Sequence, residues 1–241
     1  MNLLVTTNTE RASFSTVPSD ESIEKVVAIP DELIRKAFRE DGYPHELQQC
    51  VIEFLSAPRV LRNFADSYNT QKSSESNYEF ARNLYDRSSS HGDYIACNIL
   101  GTMYMSGKGG IKDGSKAFQL IKKSVALKPD YKVAIYNLGI CYQYGLGVEI
   151  NLKSARKQFK IASKGMYPPA VNQLSTMYIK GLGGKKKVSK GIELLQSCAD
   201  ETGDKKACRN LCLRYMIGDG VERDTNKARK YSDIIHHKKY E

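Results

Sequence analysis

The chain has 241 residues, a net charge of +10 and 41% hydrophobic residues, enough for one extended array or two small globular domains. No apolar run approaches the ~20 residues that span a bilayer, and Leu3, Leu4 and Val5 are too short a patch for a secretory signal. Six cysteines without a regular framework, and no Asn-x-Ser/Thr acceptor, point to a reducing compartment.

Residues 1–22 are polar, Ser/Thr-rich and aperiodic, which predicts a flexible tail. Residues 23–57 then read as N-terminal capping helices. Asp31 is the N-cap of the first, with Leu33, Ile34 and Phe38 on one face, and Asp41-Gly42-Tyr43-Pro44 ends it. A second helix over 45–56 puts Leu47, Cys50, Val51, Phe54 and Leu55 on its apolar side. Ala57-Pro58 breaks it, and a third helix starts near Arg59.

From there a repeat takes over. Tyr104, Tyr142, Tyr178 and Tyr215 are separated by 38, 36 and 37 residues. Leu100, Leu138, Leu174 and Leu211 keep the same spacing four residues earlier, as do Ala96, Ala134, Ala170 and Ala207 eight residues earlier. Two glycines follow each tyrosine at +3 and +5, and a small residue follows at +13: Ala117, Ala155, Gly191 and Ala228. Within a repeat these distances never change, so each unit is one supersecondary element. Ala81, Leu84, Tyr85 and Ser88 match Ala117, Leu120, Ile121 and Ser124, and Tyr68 lies thirteen residues before Ala81. Residues 58–91 are thus a degenerate repeat whose loop has Gln71 and Ser73 in place of the glycines, as suits a terminal capping unit. The regular array covers 92–236, and 237–241 form a basic C-terminal tail.

The spacing predicts pairs of antiparallel helices, an all-α solenoid. Leu and Tyr four residues apart make the buried stripe of the first helix, here called helix A. Ala96 and Gly101, with Ser175 and Cys212 at the Gly101 position, keep helix A flat enough for helix B to approach closely. Helix B brings Leu120, Ile121, Phe159, Leu194, Leu195 and Tyr231, and stacked neighbours complete the core. The Gly-x-Gly supplies positive φ where the chain leaves helix A. Asp113, Asn151 and Asp224 cap helix B; Lys187 stands there in the third repeat, so that cap is absent or moves to Ser189.

This pattern resembles the Sel-like repeat family, relatives of the tetratricopeptide repeats with a longer loop between helices. The motif of Ala, Leu-Gly, Tyr, Gly-x-Gly-Val and Asp-x-x-Lys-Ala is closely met at 96–126, 134–163 and 207–235. It is met less well at 170–199, where Gly184 replaces Val and Gly191 replaces Ala. The resemblance covers about residues 58–236. It implies an α-solenoid of four Sel-like repeats plus the degenerate one, and the work of an adaptor or scaffold without catalysis or cofactor. In some family members of oxidising compartments disulfides cross the junction between repeats. Cys198 and Cys208 occupy such a junction here and are read as two reduced packing cysteines, with a disulfide between them as the alternative.

Other chemistry is not expected. Gly107-x-Gly109 lacks the third glycine of a dinucleotide loop, and Gly114-Ser115-Lys116 inverts the Lys-Ser order of a P-loop. His236 and His237 share the last unit with Cys208 and Cys212 but lack zinc-ligand spacing, and His45 and His91 flank turns without a nucleophile. The chain is therefore read as no enzyme and without a metal.

Function is sought instead on the residues that the repeat leaves free. By the helix-A geometry of the tetratricopeptide fold, a concave groove would be lined by Asn98, Thr102 and Met105; Tyr136, Ile140, Gln143 and Tyr144; Asn172, Thr176, Ile179 and Lys180; and Arg209, Leu213 and Met216. Apolar anchors among amides suit a peptide segment or a partner helix. Charge suggests a second surface: residues 1–91 carry 10 basic and 14 acidic residues, and 92–241 carry 27 and 13. A basic face covering an acidic partner, as in an inhibitor of immunity type, is one alternative function. A disulfide-stapled assembly factor is another. Nucleic acid is not expected, because the repeat core uses most tyrosines. The location expected is cytoplasmic, with a mitochondrial alternative because residues 1–19 are Ser/Thr-rich, although Arg11 is their only basic residue.

Overall fold

A computed structural model describes residues 57–70 and 75–237; the expectations for the tail and capping helices, the 71–74 loop and residues 238–241 lie outside the described residues. Ten helices follow one another, with no strand among the described residues: α1 (Pro58–Tyr68), α2 (Glu75–Ser90), α3 (Tyr94–Ser106), α4 (Gly114–Leu127), α5 (Lys132–Tyr144), α6 (Leu152–Ala162), α7 (Pro168–Lys180), α8 (Val188–Thr202), α9 (Lys205–Ile217) and α10 (Thr225–His237). Odd-numbered helices are the A helices and even-numbered the B helices. Each helix packs chiefly on its sequence neighbours, the arrangement of a solenoid. Helix α10 takes in His237, one residue inside the expected tail.

The repeated residues hold this stack. Ala96, Leu100, Ala134, Leu138, Ala170, Leu174, Ala207 and Leu211 are all buried. Gly139 leaves room for the Phe159 ring, which a Cβ would meet at 2.6 Å, and Gly101 does the same for Ile121. Neighbours then complete each core: Phe159 of α6 clusters with Leu174, Met177 and Tyr178 of α7, and Ile192 and Leu195 of α8 with Leu211 and Tyr215 of α9.

The A-to-B loops share one closure. The N-cap N–H of each B helix (Asp113, Asn151, Lys187, Asp224) donates to the carbonyl of the motif tyrosine, at 2.8–3.0 Å. Both loop glycines take positive φ, 80° and 66° at Gly107 and Gly109, for example. The second one also lies against the preceding B helix: a Cβ on Gly147 would collide with the Gly114 backbone, and one on Gly183 with that of Leu152. Asp113, Asn151 and Asp224 accept from Lys116, Ser154 and Lys227 backbone N–H groups. Helix α8 has no side-chain cap, the first of the two outcomes expected at Lys187.

Helices α1 and α2 form the same kind of pair. Ser88 donates to the Pro58 carbonyl (2.7 Å) as Ser124 does to that of Tyr94 (2.6 Å). Arg62 meets Asp93 at 2.7 Å, tying this pair to the start of α3.

Candidate protein-binding surface

The fourteen helix-A positions divide by burial. Asn98 and Asn172 are only 3% exposed and Ile179 7%, which corrects their assignment to an open groove. The physical reason is the packing of adjacent repeats. Helix α3 touches α5 and α7 touches α9 directly, and asparagines bridge both contacts. Asn137 donates to Asn98 at 2.8 Å. Asn172 accepts from Asn210 at 3.5 Å and donates to the Asp204 carboxylate (2.8 Å) and the Pro168 carbonyl (2.9 Å). Ile179 is instead part of the core shared by α7, α8 and α9.

Thr102 and Thr176 are half-buried and turn their hydroxyls onto the Ile99 and Asn172 carbonyls of their own helices. Met105, Tyr136 and Ile140 are half-buried against neighbouring helices. The Tyr136 ring lies 5.6 Å from that of Phe159, and burial pushes its phenol above the usual range. Gln143 is half-buried, its Oε1 without a hydrogen-bond partner. Tyr144, Lys180, Arg209, Leu213 and Met216 are exposed, Tyr144 by 59%. Ile217, at 73%, joins Leu213 and Met216 at the end of α9 and was missed by helical spacing. This is apolar area with two cations beside it, which suits protein recognition.

A second feature lies at the loops and follows a two-repeat period. In the first and third repeats an arginine from the preceding B helix stacks on the motif tyrosine. The Arg82 guanidinium sits 3.8 Å from the Tyr104 ring centroid and Arg156 4.3 Å from that of Tyr178. Each also donates to the loop: Arg82 to the Ile111 carbonyl at 3.2 Å, Arg156 to those of Leu182 and Lys185. A lysine at the start of helix B covers the same ring, Lys116 at 5.4 Å and Lys190 at 5.9 Å. The arginines occupy the space that a side chain after the loop glycine would take: a Cβ on Gly110 would lie 2.6 Å from Arg82 Nη1, and one on Gly184 2.8 Å from Arg156 Nη1. The second repeat has Phe118 edge-on to Tyr142 at 5.6 Å, the fourth has Ile192 packed with Tyr215, and both keep valine, Val148 and Val221. So Gly184 is no lapse from the motif. An open cleft of 550 Å3 is lined by Arg82, Tyr104, Lys112, Asp113, Ser115 and Lys116, with Gly147 of the next loop at its side.

Cys198 and Cys208 lie in one buried cluster, and both are free thiols in the structure. Burial raises both above the usual thiol range. Among the described residues, no group of three or more His, Cys, Asp or Glu is placed to hold a metal ion, and no helix is long and apolar enough to cross a membrane.

Comparison with known proteins agrees with this architecture. The Sel1 repeat family model matches residues 95–128, 132–165, 168–201 and 205–232, the four regular helix pairs. The chain is 31% identical over 138 residues to cytochrome c oxidase assembly factor 7 of Danio rerio, covering 55% of this chain and 60% of that protein. With the Mus musculus protein of the same name it shares 33% over 143 residues, 57% and 61% of the two chains. It thus spans less than two thirds of the length of these relatives. The crystal structure of a Sel1 repeat protein from Oxalobacter formigenes is similar with a TM-score of 0.58 and 26% identity, over 67% of this chain and 63% of that one.

Proposed function

The chain belongs to the Sel1 repeat family, and from that premise we propose that it is a non-enzymatic adaptor that binds a protein segment along its A helices. The observation that carries this reading is the apolar area left on those helices after the repeats have packed: Tyr144 (59% exposed), Leu213 (54%) and Met216 (52%), with Lys180 and Arg209 beside them. A partner helix or extended peptide would bury these anchors while the cations orient it. Triple substitution of Tyr144, Leu213 and Met216 by serine removes the anchors without touching the core. Affinity capture from cells, compared with the wild type, should lose its specific partner while circular dichroism stays unchanged. Retention of that partner by the folded variant would sink the reading.

The partner proposed is a subunit of a complex under assembly, because the curated relatives are named as assembly factors for cytochrome c oxidase. That name favours the mitochondrial over the cytoplasmic location. Imaging of the tagged chain against a mitochondrial marker decides between them. The stapled form of such a factor requires a bond between Cys198 and Cys208. Alkylation of the unreduced, denatured protein, read by mass spectrometry, would leave both unmodified if the bond forms in cells.

A further inference from the structure

We propose that the first and third inter-helix loops form one bipartite docking edge for an acidic segment of a partner protein. Three basic positions recur in register, Arg82, Lys112 and Lys116 at Tyr104 and Arg156, Lys186 and Lys190 at Tyr178, and the second set adds Lys185. The arginines are tied down by ring stacking and loop carbonyls, so each cluster is held in place before a ligand arrives. The lysines have no such tie to acid: Lys112, Lys116, Lys185, Lys186 and Lys190 make no ion pair with a described residue, and the four lysines at 112, 116, 186 and 190 are exposed. The last repeat is different. There Lys227 meets Asp224 at 3.5 Å, Lys230 meets Asp200 at 2.9 Å and Arg214 meets Asp219 at 2.6 Å, so the cations at this loop and helix start are already compensated.

The two clusters share one edge, because each loop glycine abuts the B helix before it: Gly109 lies against Tyr78, Gly147 against Gly114 and Gly183 against Leu152. The intervening second loop carries Glu149, Ile150 and Ser154 in place of the lysines, which separates the positive charge into two blocks. Two repeat steps, from α3 past α5 to α7, put the blocks about 20 Å apart. Carboxylates are favoured over nucleic acid because the aromatic faces that would stack bases are covered: Tyr178 is 6% exposed, with Arg156 and Lys190 over its ring. This edge is separate from the exposed A-helix residues, so its failure leaves the adaptor reading standing.

The test uses the full chain and fluorescent peptides at low ionic strength. One peptide carries two oligoglutamate blocks joined by a Gly/Ser linker of about 15 residues, whose mean span matches the distance between the clusters; the other carries a single block. The two-block peptide should bind about tenfold or more tightly than the single-block one, through its second contact. Lys112→Gln with Lys116→Gln, or Lys186→Gln with Lys190→Gln, should each bring it down to the single-block affinity. Lys227→Gln with Lys230→Gln should leave it unchanged. Equal binding of the two peptides, an equal loss in the last variant, or tighter binding of a single-stranded RNA of matched charge would each overturn the proposal.

Discussion

Gly147 and Gly92 separate two reasons for a glycine. Both have positive φ, 70° and 87°, where an alanine is strained by about 1 kcal/mol. Around Gly92 a Cβ would meet nothing within 4 Å, whereas at Gly147 it would collide with the Gly114 backbone. Gly92→Ala should therefore cost about 1 kcal/mol, and Gly147→Ala clearly more, about 2–3 kcal/mol, because backbone must shift. Urea midpoints of the two variants, at unchanged slope, measure the difference; equal losses would show that the loop does not need its close approach. The cysteines obey a similar logic of surroundings. Burial pushes the Cys141 thiol from 9.0 up to about 11 and raises those of Cys97, Cys198 and Cys208. The unfolded chain releases these protons near the ordinary thiol value while the folded chain keeps them. Stability from this source is therefore full below pH ~9 and lost as pH rises toward ~11. Thermal melts across that range should show the fall, and Cys141→Ala should make it shallower. Half-buried Cys212 should be alkylated in the native protein faster than these four.

At the scale of the helix pair, the coupling of Arg82 to Gly110 is the sharpest prediction. Gly110→Val puts a β-branched residue at φ 139° and a side chain against the guanidinium, and should cost about 2–3 kcal/mol. Adding Arg82→Phe removes that contact and supplies the residue types that Phe118 and Val148 bring to one cluster in the next repeat; it should recover about 1 kcal/mol of the loss, the backbone strain remaining. A double-mutant cycle by urea unfolding reads the coupling, and strict additivity would mean that the two positions are independent. The helix pair was legible in the sequence because its buried residues recur at fixed distances: Leu100 with Tyr104, the loop glycines, Ala117. The two-repeat period was not, because comparison with a single-repeat motif makes Gly184 look like an exception, when Gly110 and Gly184 each answer an arginine that lies more than twenty residues upstream. The surface was legible only in part for another reason. Helical spacing says that Asn98, Asn172 and Ile179 leave the stripe of their own helix, but burial is decided by what packs there, an asparagine bridge to the next repeat at Asn98 and Asn172 and the shared core of α7, α8 and α9 at Ile179, neither of which spacing encodes.

Across the whole molecule, contacts run almost entirely between neighbouring helices, so stability should be a chain of local terms and not one shared core. Phe159 tests this because it sits at the middle junction, fully buried, packed between α6 and α7 and filling the hollow left by Gly139 of α5. Phe159→Ala should cost about 3–5 kcal/mol, the range for a large aromatic removed from a core. In a linear array that loss does not spread evenly. Helices α5 to α8 lose a shared surface, while α1 and α2 keep the Arg62–Asp93 tie to α3, and α9 and α10 keep the stacked Tyr215–Tyr231 pair at 6.1 Å. Hydrogen exchange should accordingly show the largest drop in protection over residues 132–202 and a smaller one at either end of the described array. A uniform drop from α1 to α10 would mean instead that the ten helices unfold as a single cooperative unit. The docking edge gives a local loss a functional reading, since its second cluster, with Arg156 on α6, lies inside the 132–202 stretch and its first cluster lies outside it. If the junction loosens locally, the first cluster should keep its affinity for a single acidic block while the advantage of the two-block peptide shrinks, because the second cluster is no longer held in place.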